Sequence, residues 1–443
     1  MRKILTTSVL SAALLALAGC GGEAPGAGAG AGETKSAGVD LSKPAELVFF
    51  SKSRNSEAAF NERFGNAIRE KFPQYTIKYI VDENGQKMEQ LLIAGDKFDI
   101  YWDSVGLFMD TLTNANLQYD LRELIKKNNV ELNRIEPVML DGTKQPGGEI
   151  YALPVINKNL VLFYNMDIFD KFGMAYPKDG MNWEETLELA RKLTRTEDGV
   201  RYIGLGVSQQ HQFMRLNQLS VPIIDPVKQQ ANTDNPKIKT LYNSLIAPII
   251  SQPGFKEIVN EKNTLFGSVA SNTFYTQKNM AMLVYVSDFP FEQKGMAGVN
   301  WDMVSLPEMK EAPGLGSQAY PIYFTVTSTS KNKEQAMEVL KYLTSDDYQL
   351  SISKRGMLTV LKDGEIKKAF AQEASIKDKN FQAVYLRPHA PSAPKSKYDP
   401  KAELIYDKYM TELAKGAMDV NTALRITGEE VNKMIEAERA SGK

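Results

Sequence analysis

Few side chains in this 443-residue chain could carry out covalent or metal chemistry. The histidines are His211 and His389, and the one cysteine is Cys20. No His-Glu-x-x-His, Cys-x-x-Cys, Gly-x-Ser-x-Gly or Walker A segment occurs. We expect His211 to be a solvated helix residue and His389 a loop residue. The sequence therefore predicts no catalytic residue, no metal ligand, no cofactor and no enzymatic activity. A glycoside hydrolase, which needs only two carboxylates, is a less favoured alternative.

The remaining polar and aromatic residues indicate recognition of a polar solute. A sugar presents hydroxyl groups and a flat C–H face, so its site needs amides, carboxylates and aromatic rings. Trp102 and Asp103 offer such groups at the end of one predicted strand, and Ser51 and Arg54 follow another. Asp103 would either accept hydroxyl groups or cap the helix that follows, and both roles are open at this point.

An alternation of strands and helices must position these side chains. Strands are predicted over 47–50, 76–81 and 98–102, with helices between them. A β-α-β-α-β order implies a parallel, doubly wound sheet, and the fold class is therefore α/β. In such sheets ligands bind outside the carboxyl ends of the strands.

The stretch 147–169 divides the chain. Residues 150–153 are apolar and extended, because Pro154 disfavours helical backbone before it. A polar island, Asn-Lys-Asn at 157–159, precedes a predicted buried strand over 160–164. A chain that leaves one packed unit and enters another would have this pattern, and so would a plain surface loop.

From this stretch the chain resembles the family 1 extracellular solute-binding proteins, the capture subunits of ABC importers, mostly for sugars. The resemblance covers about residues 45–440. Two positions depart from the family pattern, with Phe98 in place of a proline and Gln277 in place of a glycine. The motifs that carry it are Gly-Glu-Ile-Tyr-Ala-Leu-Pro at 148–154, Phe-Tyr-Asn-Met-Asp-Ile-Phe at 163–169, Lys-Phe-Gly-Met-Ala-Tyr-Pro at 171–177, Asn-Trp-Glu-Glu at 182–185 and Gln-Lys-Asn-Met-Ala-Met at 277–282.

The resemblance implies a two-lobed, periplasmic-binding-protein-like fold with a ligand cleft between the lobes. Lobe one would comprise 41–155 plus 320–370, and lobe two 156–319 plus 371–443. It also implies a monomer that binds a sugar or oligosaccharide and passes it to an ABC permease. Cleft residues implied by the family's crossover and strand positions are Asn157, Asn159, Tyr285, Asp288 and Tyr320, with Asp288 standing where the family usually has an aromatic ring.

The N-terminus predicts export and lipid attachment. Arg2 and Lys3 precede an apolar run over 4–18, which is typical of a signal peptide spanning 1–19. Leu-Ala-Gly-Cys at 17–20 matches a lipobox, so Cys20 would carry the lipid, including palmitate. Residues 20–40, rich in Gly and Ala, would form a tether with a reach of roughly 25 Å. The protein is thus expected on the outer face of the cell membrane.

The charge balance argues against other classes of partner. The chain has 53 basic and 54 acidic residues, a net charge of −1, so it has no electrostatic case for nucleic acid or an acidic membrane. The alternatives are a binding protein for a non-sugar solute, such as a polyamine or peptide, and a surface sensor subunit.

Overall fold

Twelve strands are present among the residues that the computed structural model describes, which are 40–53, 55–82, 87–145, 147–263 and 267–440. Cys20 and Arg54 lie outside these residues. The strands are β1 (Ala45–Ser51), β2 (Tyr75–Val81), β3 (Ile100–Ser104), β4 (Leu153–Ile156), β5 (Leu160–Asn165), β6 (Arg195–Glu197), β7 (Val200–Val207), β8 (Ile224–Asp225), β9 (Gln230–Ala231), β10 (Met280–Val286), β11 (Trp301–Ser305) and β12 (Ile322–Val326).

The strands form two five-stranded sheets and one short hairpin. The first sheet has the order β2-β1-β3-β12-β4, the second has the order β11-β5-β10-β7-β6, and β8 pairs with β9. β1 runs parallel to β2 and β3, and β10 runs parallel to β7. β12 and β5 are antiparallel to their neighbours, so both sheets are mixed. The predicted α/β fold with doubly wound sheets is confirmed.

Helices cover both faces of the two sheets. Among the described residues, four π-helical turns extend or interrupt these helices, and they are Asn61–Gly65, Gln210–Arg215, Tyr242–Ile246 and Thr273–Gln277. None of the described helices is long and apolar enough to cross a lipid bilayer. The α-helices are α1 (Glu57–Phe60), α2 (Asn66–Lys71), α3 (Lys87–Ile93), α4 (Phe108–Asn114), α5 (Arg122–Lys127), α6 (Pro137–Asp141), α7 (Met166–Lys171), α8 (Trp183–Leu193), α9 (Pro236–Leu241), α10 (Ala247–Ile250), α11 (Phe255–Lys262), α12 (Ser268–Asn272), α13 (Phe289–Glu292), α14 (Lys333–Leu343), α15 (Asp346–Lys354), α16 (Gly364–Lys368), α17 (Asp399–Ala414) and α18 (Val420–Ala440).

The first sheet is apolar on both faces. Successive side chains of a strand point to opposite faces. Phe49 and Trp102 accordingly join the core beneath α1, α2 and α14, whereas Phe50 and Tyr101 join the core beneath α3 and α4. This two-sided burial is why β1 and β3 have near-continuous apolar sequences.

In the second sheet, a glycine allows one helix to approach very closely. A Cβ atom at Gly204 of β7 would lie 1.9 Å from the carbonyl oxygen of Ala190 in α8. No side chain fits there, so Gly204 sets the distance between helix and sheet. The helix begins with a capping box, in which Asn182 and Glu185 each accept a hydrogen bond from the other's backbone N–H.

The strand predicted over 150–153 is shifted in the structure. β4 begins at Leu153 and contains Pro154. A proline cannot donate to a sheet, but β4 is an edge strand and pairs only with β12, so the missing N–H costs little.

Four segments meet between the two sheets, namely 157–159, 317–320, the segment at Leu358 and the segment at Ala390. The Asn157 N–H donates to the Leu358 carbonyl at 2.9 Å, and the Tyr320 N–H donates to the Lys158 carbonyl at 2.9 Å. The segment at 317–320 also pairs with the one at Ala390, because the Ala390 N–H donates to the Ser317 carbonyl at 3.1 Å. These segments are called the junction below.

Candidate functional site

A cavity of about 250 Å³ lies where the two sheets face each other. Its walls come from the carboxyl ends of β1 and β3 on one side, of β7 and β10 on the other, and from the junction. This is the position at which open α/β sheets bind ligands. A larger cavity of about 600 Å³ beside α8 contains none of these strand ends. The central cavity is lined by Ser53, Asn55, Arg63, Trp102, Ser104, Lys158, His211, Tyr285, Val286, Phe289, Glu292, Gln293, Tyr320 and Ile322.

Trp102 reaches this cavity from within the core of the first sheet. Only 1% of its surface is exposed. Its ring stacks on Phe324 at 5.6 Å between centroids and tilts against Phe64 at 5.1 Å. The indole Nε1 is buried without a hydrogen-bond partner in the described part of the chain. Trp102 is thus a core residue that borders the cavity.

Asp103 lies beneath the cavity floor with no exposed surface. Its carboxylate accepts hydrogen bonds from the Ser104 N–H at 2.7 Å, the Tyr101 hydroxyl at 3.2 Å and the Lys52 N–H at 3.2 Å. Burial raises the pKa of Asp103 to about 6, although these donors oppose the shift. Asp103 does not cap α4, which begins at Phe108. Instead it fixes the loop after β1.

Ser51 belongs to the same polar cluster under the floor. Its hydroxyl lies 2.7 Å from the hydroxyl of Ser53, which in turn accepts from the Asn55 amide. Ser53 and Asn55 line the cavity, whereas Ser51 does not. The predicted residue thus supports two neighbours that present a hydroxyl and an amide.

His211 contributes to the wall of the second sheet. Its ring packs edge-on against Tyr285 and Tyr320, with 5.5 Å between centroids in each pair. Nδ1 lies 2.7 Å from the Ser208 hydroxyl. Burial, together with Arg215 and Lys158, lowers the pKa of His211 to about 3, so the ring is neutral at physiological pH. His211 lies on a helical turn, as expected, but this π-helical turn after β7 makes the side chain half-buried and places it in the cavity wall.

Charged side chains in the cavity are paired with one another. Lys158 forms ion pairs with Asp288 and, at 3.4 Å, with Glu292. Glu292 of α13 also pairs with Arg63, which belongs to the helix that covers the first sheet. The Arg63–Glu292 pair therefore bridges the two sides of the cavity. Asp288 Oδ1 is buried without a partner among the described residues.

A buried arginine holds Tyr320 in position. Arg215 donates to the Glu403 carboxylate at 2.7 and 2.6 Å and to the Tyr320 hydroxyl at 2.6 Å. The Tyr320 hydroxyl then donates to Ser104 Oγ at 3.2 Å. Although burial opposes it, the proximity of Tyr320 and Glu403 raises the pKa of Arg215. The chain of contacts links α17, the junction and the end of β3. A Cβ atom at Gly106 would lie 2.9 Å from the Arg215 guanidinium carbon, so this site needs glycine.

Asn157 and Asn159 are buried in the junction rather than in the cavity wall. The Asn157 side chain accepts from the Tyr320 N–H at 3.0 Å and contacts His389 Nε2 at 3.1 Å. The Asn159 amide donates to the Val384 carbonyl at 2.6 Å. Both side chains tie crossing segments together.

Of the predicted site residues, the structure brings Trp102, Tyr285 and Tyr320 to the cavity wall. Ser51, Asp103 and Asp288 lie directly behind it, Asn157 and Asn159 lie in the junction, and Arg54 is outside the described residues.

Several wall residues were not predicted from the sequence, although three of them had a detectable signal. Lys158 is the centre of the polar island. His211 follows a predicted strand, so the strand-end argument that selected Trp102 applies to it as well. Phe289 lies one position after the aspartate at the family's aromatic position and supplies a ring there. Arg63 and Glu292 lie on helices and had no such signal.

Within the described residues, no group of three or more His, Cys, Asp and Glu side chains is placed to hold a metal ion.

Comparison with known proteins gives a family match over well over half of the chain. The sequence profile described as "Bacterial extracellular solute-binding protein" matches residues 51–350. A curated relative, the mannitol-binding protein of Pseudomonas aeruginosa, is 23% identical over 163 residues, which is 36% of this chain and 36% of the relative.

Solved structures with the same fold span the chain more fully. A sugar transporter of Rhizobium etli in an open conformation has a TM-score of 0.68 and 18% identity, covering 87% of this chain and 99% of its own. An ABC substrate-binding protein of Listeria monocytogenes in complex with cycloalternan has a TM-score of 0.67 and 18% identity, covering 89% and 100%. A solute-binding protein of Thermotoga lettingae bound to α-D-tagatose has a TM-score of 0.66 and 20% identity, with the same coverage.

Proposed function

Because this chain belongs to the family of bacterial extracellular solute-binding proteins, we propose that it captures an uncharged sugar or oligosaccharide and delivers it to the permease of an ABC importer. The observation that carries the proposal is the cavity between the two sheets. Its wall combines aromatic residues, hydroxyl and amide groups, and charges that are already compensated.

Each of these features suits a polyhydroxylated ligand. Tyr285 offers apolar ring surface, whereas Ser53, Asn55 and Ser104 offer hydroxyl and amide groups that donate and accept. A sugar hydroxyl can accept from the Trp102 N–H and so satisfy a donor that is otherwise buried unpaired.

The paired charges favour an uncharged solute. A buried ligand charge is costly unless an opposite charge meets it. Here Arg63 and Lys158 are neutralised by Glu292 and Asp288, and His211 is neutral. A polyamine would need free carboxylates, so the geometry disfavours this alternative. The named relatives bind mannitol, cycloalternan and tagatose, which are uncharged polyhydroxylated compounds.

A thermal-shift screen tests the proposal. The panel would hold uncharged sugars, polyols and oligosaccharides beside spermidine, short peptides and sugar phosphates. A ligand present at about 100 times its Kd adds about 2.7 kcal/mol to the unfolding free energy, which is readily measured. Stabilisation by a saccharide supports the proposal, and stabilisation by spermidine or a peptide alone refutes it. Loss of uptake of the same saccharide on gene deletion would separate an importer subunit from a sensor, and unchanged saccharide length after incubation would exclude a hydrolase.

We further propose the chain organisation that the sequence indicates. Lobe one comprises 41–155 plus 320–370 and lobe two comprises 156–319 plus 371–443, joined at the junction. A signal peptide over 1–19, lipid attachment at Cys20 and a tether to residue 40 would hold a monomer on the outer face of the membrane. The composition of the N-terminal segment supports this anchor.

A further inference from the structure

Two hydroxyl groups in the wall of the central cavity form a hydrogen bond with each other. The oxygens of Tyr320 and Ser104 are 3.2 Å apart, and both residues line the cavity. In such a pair one hydroxyl donates and the other accepts, and a tyrosine or serine hydroxyl is able to do either. The distance between the oxygens does not set the direction, so a third group must set it.

The buried Arg215 is that third group. Its Nη1 donates to the Tyr320 hydroxyl at 2.6 Å. A guanidinium has donors only, so the Tyr320 oxygen must accept from it. The Tyr320 proton then needs an acceptor of its own, and among the described residues Ser104 Oγ is the acceptor that the structure gives it. The hydrogen bond therefore runs from Tyr320 to Ser104.

The guanidinium is held in this orientation from its other side. Arg215 Nε and Nη2 donate to the two carboxylate oxygens of Glu403 at 2.7 and 2.6 Å, and such a bidentate pair fixes the plane of the guanidinium. Only 10% of the Arg215 side chain and 6% of the Glu403 side chain are exposed, so water does not compete for these groups. Lys395 Nζ donates to the Arg215 carbonyl at 3.0 Å and holds the backbone as well.

This arrangement leaves Ser104 with one group for a solute. Its oxygen already accepts from Tyr320, whereas the structure gives its hydroxyl proton no acceptor within the described part of the chain. The Ser104 N–H donates to Asp103 Oδ1 at 2.7 Å, and the Ser104 carbonyl accepts from the Leu107 N–H at 2.9 Å. The backbone of this residue is thus occupied, and the hydroxyl proton remains.

We propose that Arg215 is a positioning residue that determines specificity: through Tyr320 it makes Ser104 a hydrogen-bond donor, so the solute must present an acceptor oxygen there. This inference rests on the proposed function, because it concerns the saccharide in the same cavity. A hydroxyl or ether oxygen of a sugar meets the requirement. An ammonium group only donates. It is therefore rejected by the direction of the hydrogen bond as well as by charge.

Singly modified sugars test the direction by isothermal titration calorimetry. The parent probe is the tightest binder among glucose, galactose, mannose and mannitol, and each of its hydroxyls is replaced in turn by hydrogen, by fluorine or by an ammonium group. Fluorine accepts weakly and does not donate. At the position that meets Ser104, the deoxy sugar should bind roughly 3- to 10-fold more weakly than the parent, which is the worth of one hydrogen bond. The fluoro sugar should regain part of this loss, and the ammonium sugar none. Ser104→Ala should remove the difference between the fluoro and deoxy sugars there.

The double variant Arg215→Gln with Glu403→Gln releases the direction. The second exchange removes a carboxylate that would otherwise be buried without its partner. Without the guanidinium, Tyr320 is free to accept from Ser104, whose oxygen then has a lone pair for a donor on the solute. The penalty of the ammonium sugar relative to the parent should therefore fall by roughly threefold or more at this one position. A merely structural role of Arg215 would weaken binding alike at every position.

A second arginine–glutamate pair supplies the matched control. Arg387 and Glu308 lie 2.7 Å apart and line no part of the central cavity. Arg387→Gln with Glu308→Gln should leave the ammonium penalty at its wild-type value at every position.

Neutron diffraction from deuterium-exchanged, ligand-free crystals locates the proton without any sugar. A deuteron on Tyr320 Oη directed at Ser104 Oγ supports the inference. A deuteron on Ser104 Oγ directed at Tyr320 overturns it and leaves the proposed function intact. An ammonium penalty that the Arg215 and Glu403 exchanges leave unchanged, or change equally at every position, also overturns it. Failure of every saccharide in the thermal-shift panel overturns the proposed function and this inference with it.

Discussion

Replacing Trp102 by phenylalanine separates its packing role from its hydrogen-bonding role. Phenylalanine keeps an aromatic ring among Phe64 and Phe324 but removes the indole N–H. A buried donor without a partner costs about 1–3 kcal/mol, and a ligand oxygen that accepts from it relieves this cost on binding. Trp102→Phe should therefore weaken saccharide binding by about 1–3 kcal/mol, which is roughly 5- to 150-fold in Kd.

The ligand-free protein should respond quite differently. The substitution removes the unpaired N–H, a gain of about 1–3 kcal/mol. It also loses part of a buried ring, at a cost below the roughly 3–5 kcal/mol of a change to alanine. Because these two terms oppose each other, we expect only a small change in Tm. Trp102→Ala is a poorer probe, since it would destabilise the core without this compensation.

Calorimetric titration beside apo melting measures both effects. Trp301→Phe, at a tryptophan that is 2% exposed in β11 and does not line the cavity, is the matched control and should keep the wild-type Kd. Wild-type affinity in a Trp102→Phe variant with a wild-type Tm would refute the assignment of the N–H to the ligand.

Three further variants probe the site, the lobes and the anchor. Folded His211 stays neutral down to about pH 3 while the unfolded residue takes up a proton below pH 6.5, so stability falls as the pH drops through this window. His211→Gln should lose less stability than the wild type between pH 7 and 5 in urea unfolding, and an equal loss would contradict the burial argument. Glu292→Gln breaks the pair with Arg63 across the cavity, so X-ray scattering of the ligand-free variant should give a larger radius of gyration than that of the ligand-free wild type. A bound saccharide should reduce this radius. A radius equal to that of the wild type both with and without ligand would count against a closing hinge. Cys20→Ser should release the protein from the membrane fraction, and a correctly processed variant that stays membrane-bound would disprove lipid attachment.

Local patterns in the sequence determined the architecture. Alternating strands and helices, the capping residues and the glycine turns are short-range features, and each favours one backbone conformation whatever surrounds it. The strand predicted over 160–164, for example, is β5 at Leu160–Asn165 in the structure. Parallel strands also place their carboxyl ends at one edge of the sheet, so the sequence alone predicted that Trp102 lies near a ligand cavity.

The direction of side chains within the site depended on tertiary contacts. In the polar island at 157–159, three adjacent polar residues look alike in sequence. Asn157 and Asn159 turn toward the neighbouring crossing segments because backbone groups there need partners, which leaves Lys158 to face the cavity. No local preference distinguishes these orientations, since the groups that they satisfy lie more than 150 residues away.

Long-range partners also decided the chemical character of the other site residues. Trp102 is a core residue because Phe64, from the helical segment after β1, and Phe324, from β12, pack against its ring. Arg215 is buried because Glu403, 188 residues away, neutralises it. Asp103 accepts from backbone and hydroxyl donors beneath the floor instead of capping α4. The sequence by itself determined which elements form and where their ends meet, since those follow from short-range conformational preference. The tertiary structure alone decided which charges are compensated and which polar atoms remain for a solute, since burial and pairing are properties of the packed chain.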